Sequence, residues 1–340
     1  MIAGRIARRM LDAPRTRPEE AALKPRLDRL GGEVVRLVSR DGLRLAGRWL
    51  EPEGTEPSWS RDPREAILLL HGYSGSVAPD LVEYGPTLRQ TAGVLGLDFR
   101  GHGASDAGAT TFGLHEIEDV GGALAWLGER GIRRVVLAGT SMGGITAIAA
   151  TVVLGDGELA SADADPHAPI LTSPAPRPRI VGIVAEAVTA ELPTVVANRL
   201  RGPGFLRHVL ARRAFAIASR RLGEDLRAIE PARLVGLLED LPLLLIHGDA
   251  DTTVPPREAR RLVAAAAPRT ESWMIPGAGH GLGRSLDPAA WDERVTAFVR
   301  RAFEASRDRE AGLGILASAA TGASERSGGQ SHRAEADHPA

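Results

Sequence analysis

"VVLAGTSMGGITAIAA", Val135 to Ala150, decides how this chain is read. An apolar run, Val135-Val136-Leu137-Ala138, stops at Gly139; Ser141 stands between Gly139 and Gly143, and a run of small apolar residues follows. A short apolar run bounded by glycine reads as a buried strand, and the longer small-residue run reads as a buried helix. The hydroxyl at their junction has three readings. It is a helix N-cap, part of an anion-binding turn, or a nucleophile lifted to the end of a sheet on a sharp strand-to-helix turn. Gly139-Thr140-Ser141-Met142-Gly143 is the one G-x-S-x-G in the chain. Turning that fast crowds the residues two before and two after the serine, which glycine relieves.

Working outward, strand and helix patterns alternate. "EVVRLVSRDGLRLAGRWLEP" (33–52) alternates apolar and polar residues around Asp41-Gly42 and reads as a β-hairpin. Apolar strands are expected at 66–71, 94–98, 135–139, 180–187, 243–247 and 272–276, with helices at 84–91, 115–131, 142–154, 256–267 and 288–304. That alternation predicts an α/β fold: a mostly parallel, doubly wound sheet with helices on both faces. Such sheets hold ligands at the carboxyl ends of their strands, where the Gly-flanked polar clusters of this chain fall. One domain over 33–305 is expected, preceded by an N-terminal arm at 1–32. Within it, 155–179 reads as a mobile polar insertion and 188–235 as a short helical cap. Residues 306–340, rich in Ser, Gly, Ala and charge, read as a disordered tail.

Composition narrows the chemistry. The 340 residues carry 42 basic and 43 acidic side chains, a net charge of −1, which does not suggest a nucleic-acid partner. With no cysteine, thiolate nucleophiles, disulfides and Cys-ligated zinc are excluded. Lys24 is the single lysine, so neither a P-loop lysine nor a Schiff base is available within the domain. No HExxH or dense His/Asp cluster is present, and neither a metal nor a cofactor is expected. No apolar run reaches the roughly 20 residues that span a bilayer. The opening "MIAGRIARRMLDAPRTRPEE" is a poor secretory signal. It reads as a frayed arm, with weak peripheral membrane contact by a basic amphipathic helix as the alternative, and the protein is expected in the cytoplasm.

A serine hydroxyl needs a base, and the base a carboxylate to orient it, in the chain order Ser, acid, His. "HGDADTTVP" (247–255) offers Asp249 and Asp251, and "PGAGHG" (276–281) offers His280. Asp251, further past the strand end, is taken as the acid; Asp249 is read as holding the turn through Asx-type bonds, and Glu186 is the reserve acid. His247 breaks the order and is read as packing. The backbone N–H of Met142 at the helix start is one oxyanion donor, and that of Tyr73 in "HGYSGS" is the second. His71 and His102, both in HG dipeptides at strand ends, are read as turn residues.

Taken together, "HGYSG" (71–75), "DFRGHGAS" (98–105), "GTSMGG" (139–144), "HGDADTTVP" and "GAGHG" (277–281) resemble the α/β-hydrolase superfamily. The likeness is strongest to bacterial lysophospholipase-like and prolyl-oligopeptidase-like esterases. It implies an α/β-hydrolase fold, Ser141 as nucleophile, His280 as base, Asp251 as acid, and Tyr73 and Met142 amides as oxyanion hole. The expected activity is cleavage of a small-molecule carboxylic ester through an acyl-enzyme. Acyl transfer, short-peptide hydrolysis by the same triad, and non-catalytic ligand binding are the alternatives. Glu186 departs from the aspartate common at that position, which bears on the pocket wall.

Overall fold

The computed structural model describes residues 1–53, 62–155 and 177–328, with side chains through 312. Most of the expected 155–179 insertion and residues 329–340 of the expected tail lie outside this range.

Along the chain the elements are α1 (Ile2–Leu11), α2 (Lys24–Leu30), β1 (Glu33–Val38), β2 (Arg44–Leu50), β3 (Glu65–Leu70), α3 (Ala78–Leu88), β4 (Gly93–Leu97), α4 (Glu116–Glu129), β5 (Arg134–Thr140) and α5 (Met142–Leu154). They continue as β6 (Arg179–Glu186), α6 (Leu192–Arg199), α7 (Gly204–Leu222), α8 (Pro231–Leu234), β7 (Leu243–Gly248), α9 (Pro256–Ala265), β8 (Thr270–Ile275), α10 (Gly283–Leu286) and α11 (Pro288–Gly328). The strands form one sheet in the order β1-β2-β4-β3-β5-β6-β7-β8. Only β2 runs against the others, through antiparallel pairing to β1 and β4. This is the α/β-hydrolase fold.

Parallel strands covered on both faces need apolar residues at every position, and alternation then sends neighbours into opposite cores. Leu68 and Leu70 of β3, Val135 and Leu137 of β5, and Leu243 and Leu245 of β7 enter the core that α4 and α5 cover. Ile67, Leu69, Val136, Ala138, Leu244 and Ile246 enter the core under α3 and α11. The strand order reverses at β3, which pairs with β4 on one side and β5 on the other. Leu70 and Gly139 are paired at the carboxyl ends of β3 and β5, so the loops after these two strands leave side by side. That is the crevice where open α/β sheets hold ligands.

Three stretches differ from the sequence expectations. The opening segment, residues 1–20, is not frayed: α1 packs on α7, with Ala7 and Met10 in the same core cluster as Ala214, Phe215 and Ala218. The arm is also sewn to the body by backbone bonds from Gly75 N to Pro14 O (2.8 Å), Gly103 N to Arg15 O (2.7 Å) and Thr110 N to Leu11 O (2.9 Å). The closing helix does not end near 305; through Gly328 the chain is helical rather than disordered. Buried Ser306 and ion pairs of Arg307 with Glu65 (2.8 Å) and Glu310 with Arg134 (2.5 Å) hold its continuation. Helix α3 starts at Ala78 rather than 84, because Pro79 sits in its first turn, where a missing N–H is harmless. Among the described residues, no helix is long and apolar enough to cross a membrane.

Candidate active site

Ser141 sits between β5 and α5 with φ 54° and ψ −113°, a conformation that L-residues other than glycine rarely hold. Its own N–H donates to Glu186 O (2.8 Å), which ties the turn to the neighbouring strand β6. The flanking glycines are required by close approach. A Cβ on Gly139 would stand 2.4 Å from the Gly143 carbonyl carbon, and one on Gly143 would stand 2.0 Å from Leu70 O. The backbone before and after the serine thus touches itself and β3, and this closeness lifts Oγ clear of the sheet.

The structure brings His280 and Asp251 to that hydroxyl. His280 Nε2 lies 3.1 Å from Ser141 Oγ, and its Nδ1 lies 2.7 Å from Asp251 Oδ2. A carboxylate only accepts, so Nδ1 carries the proton, and in the neutral ring Nε2 is left to accept from the serine. Asp251 is 2% exposed, and its other oxygen accepts from Thr253 N and Val254 N, both at 2.8 Å. The 251–254 turn therefore aims one oxygen at the imidazole by occupying the other. His280 rides on the loop after β8, whose tight curl uses Gly277 and Gly281 at positive φ.

The remaining acids and histidines have other partners. Asp249 accepts from Gly277 N (2.6 Å) and so links the acid loop to the histidine loop. Glu186 accepts from Gly283 N (2.9 Å) and Trp291 Nε1 (3.2 Å), which docks α10 and α11 beneath the His280 loop. Burial raises its carboxyl pKa above the usual range, and these two donors oppose the rise. His247 donates from Nε2 to Val254 O (2.8 Å), buttressing the Asp251 turn. His71 accepts at Nε2 from Phe99 N (3.1 Å), and His102 accepts at Nε2 from Ser74 N (3.2 Å). Both rings are buried, which lowers their pKa values, and both hold the loop that carries Tyr73.

That loop lies directly over Ser141: a Cβ on Gly72 would be 3.7 Å from Ser141 Cβ. Met142 opens α5, so its N–H has no partner in the helical ladder and sits at the positive end of the helix dipole. Tyr73, Ser141 and Met142 line one cavity of about 410 Å³, whose other walls include Met10, Phe112, Ile145 and Val196. A second, more polar cavity of about 340 Å³ borders Ser141 and His280 from the other side, with Asp80, Thr140 and Arg199 in its wall. Ser141, Tyr73 and Arg199 belong to both. Among the described residues, no group of His, Asp and Glu is arranged to hold a metal ion.

Contributions from the arm escape a sequence reading. Arg17 donates to Tyr73 O (2.9 Å) and Ser74 Oγ (3.2 Å), and the Tyr73 hydroxyl donates to Arg9 O. Ile6, Arg9, Met10, Asp12 and Pro14 all line the larger cavity. The amphipathic pattern of residues 2–11 was the one available signal, and it does not say what the apolar face covers.

Comparison with known proteins agrees with this architecture. Residues 67–301 match the model of the Alpha/beta hydrolase family. The Uncharacterized protein YfhR of Escherichia coli O157:H7 is 25% identical over 258 residues, 74% of this chain and 75% of that protein. Among solved structures, the Pyrococcus furiosus esterase Pf2001 superposes with a TM-score of 0.58 at 21% identity, covering 86% of this chain and 98% of that one. A putative aryl esterase from Burkholderia cenocepacia gives a TM-score of 0.54 at 20% identity, covering 80% of this chain and all of that one.

Proposed function

This chain belongs to the Alpha/beta hydrolase family, and on that premise we propose that it is a serine hydrolase that cleaves carboxylic esters through an acyl-enzyme. The observation that carries the reading is the hydrogen-bonded run Ser141–His280–Asp251 at the carboxyl ends of the strands.

In this reading Ser141 Oγ attacks the ester carbonyl carbon as its proton moves to His280 Nε2. Asp251 stays ionised and stabilises the imidazolium. The carbonyl oxygen takes the negative charge and faces the N–H groups of Tyr73 and Met142, which are aimed before the reaction begins. Collapse of the tetrahedral intermediate breaks the bond to the alcohol oxygen, which leaves with the proton from His280. Water then enters, gives a proton to His280 and attacks the acyl carbon. The acid departs, and Ser141 recovers its proton.

The two cavities divide the substrate. The larger one is walled chiefly by apolar side chains and suits the acyl part, whereas the polar one beside His280 suits the alcohol part. A fluorophosphonate probe tests the chemistry: the wild type is labelled and Ser141→Ala is not. Equal labelling of both overturns the assignment. A labelled enzyme that releases only amide or transester products, when amines or alcohols are added, is a transferase instead.

A further inference from the structure

The cap is built from α1, α6 and α7: α1 and α6 line the larger cavity, and α7 packs on both. These helices contain three, one and five arginines and no aspartate or glutamate. Among the described residues only one of the nine has an ion pair, Arg212 with Glu191 at 3.0 Å. The acids that follow, Glu224, Asp225 and Glu230, come after α7 has ended and do not neutralise its length.

Interleaved with this charge are large apolar side chains that nothing in the fold covers. Met1, Ile2, Leu206 and Val209 are exposed, and Phe205 is 70% exposed. Ile6 of α1 and Leu200, just past α6, share the cavity wall. Ile2 stands about one helical turn before Ile6 of that wall, and Phe205, Leu206 and Val209 lie on α7, the helix that packs against α1. A nucleic acid would use the arginines and leave most of the aliphatic side chains unsatisfied. An anionic bilayer takes both, the headgroups pairing with guanidinium and the acyl boundary with Phe, Leu, Ile and Val.

We propose that the α1–α7 face of the cap is a peripheral docking surface for anionic phospholipid bilayers, placed beside the cavity that opens at Ser141. Binding here does not depend on the ester chemistry.

The test is co-sedimentation of full-length Ser141→Ala protein with phosphatidylcholine vesicles, with and without phosphatidylglycerol, at low and high salt. The expected result is partition onto phosphatidylglycerol vesicles, little onto phosphatidylcholine alone, and release by salt. Arg5, Arg8 and Arg213 are exposed. Replacing all three by Gln should weaken partition on the order of a hundredfold, about fivefold for each arginine. Phe205→Ser should weaken it several-fold. Unchanged thermal unfolding of these variants shows that the loss is local. Equal partition onto neutral and anionic vesicles overturns the proposal, as does retention of binding by the arginine variant. Displacement by duplex DNA at equal phosphate concentration, or a fall from dimer to monomer on Phe205→Ser, assigns the face to nucleic acid or to a second copy and overturns it too.

Discussion

His280 Nδ1 donates to Asp251 Oδ2 at 2.7 Å while the other Asp251 oxygen accepts two backbone N–H groups. The carboxylate is thereby fixed in rotation, and it fixes which imidazole nitrogen carries the proton. Asp251→Asn keeps the shape but offers a donor where an acceptor stood, so His280 would present its protonated nitrogen to Ser141. In the proposed mechanism that lowers kcat by about four orders of magnitude. Stopped-time assays on a p-nitrophenyl ester measure this, and a loss of less than tenfold would remove Asp251 from the acid role.

Two glycines separate space from propensity. On Gly143 a methyl would meet Leu70 O at 2.0 Å, a contact with backbone that cannot move without breaking the β3–β5 pairing. Gly143→Ala should cost about 3 kcal/mol or more in urea unfolding. Gly4, inside α1, has no atom within 4 Å of an added Cβ. Gly4→Ala should stabilise by up to about 1 kcal/mol, since Ala is the better helix former. A Gly4→Ala variant that unfolds more easily would mean α1 is not helical.

The contrast between these sites shows what sequence reading reaches. The β5–Ser141–α5 turn is local: apolar run, crowding glycines and small-residue helix lie within sixteen residues, and their periods reveal strand and helix. The order of the Gly-flanked loops then suffices to nominate Asp251 and His280. The docking of the arm is not local. Gly75 bonds to Pro14 and Gly103 to Arg15 through backbone groups, which leave no residue signature. The extension of α11 is held by Arg307 on Glu65, 242 residues away, and by Glu310 on Arg134. Such pairs read along the chain as ordinary surface charge. Hence the arm and residues 306–328 differ from the sequence expectation, and the share of the cavity wall that α1 supplies has no local signature.

In the proposed mechanism, the larger cavity, lined by Met10, Ile145, Val196 and Phe112, measures the acyl group. With each methylene buried worth about 0.8 kcal/mol, kcat/KM for straight-chain p-nitrophenyl esters should rise about fourfold per carbon until about 410 Å³ is filled. Ile145→Phe should shift the optimum to shorter chains and leave the acetate ester nearly unaffected. Met10→Ala should flatten the rise by opening the wall that α1 supplies. A chain-length profile identical in all three proteins would place the acyl group elsewhere.

His71 is 1% exposed, and its pKa falls to about 3, mainly because burial strips water from the charged ring, with the nearby His102 adding repulsion. Its Nε2 accepts from Phe99 N, so the folded protein needs the ring neutral. The unfolded chain binds a proton at this histidine near pH 6.5, whereas the folded one refuses it until about 3. The stabilisation from neutral His71 is therefore complete above 6.5 and is lost as pH falls towards 3, with a slope of up to about 1.4 kcal/mol per pH unit. Urea-unfolding free energies measured from pH 7 to 4 should fall less steeply in His71→Gln than in the wild type by about that amount. NMR of the wild-type imidazole provides the check independent of the variant: the ring nitrogens should keep neutral chemical shifts at pH 5. A His71 that titrates near 6.5 would mean its loop is open in solution, and the Tyr73 amide would then lack its support over Ser141.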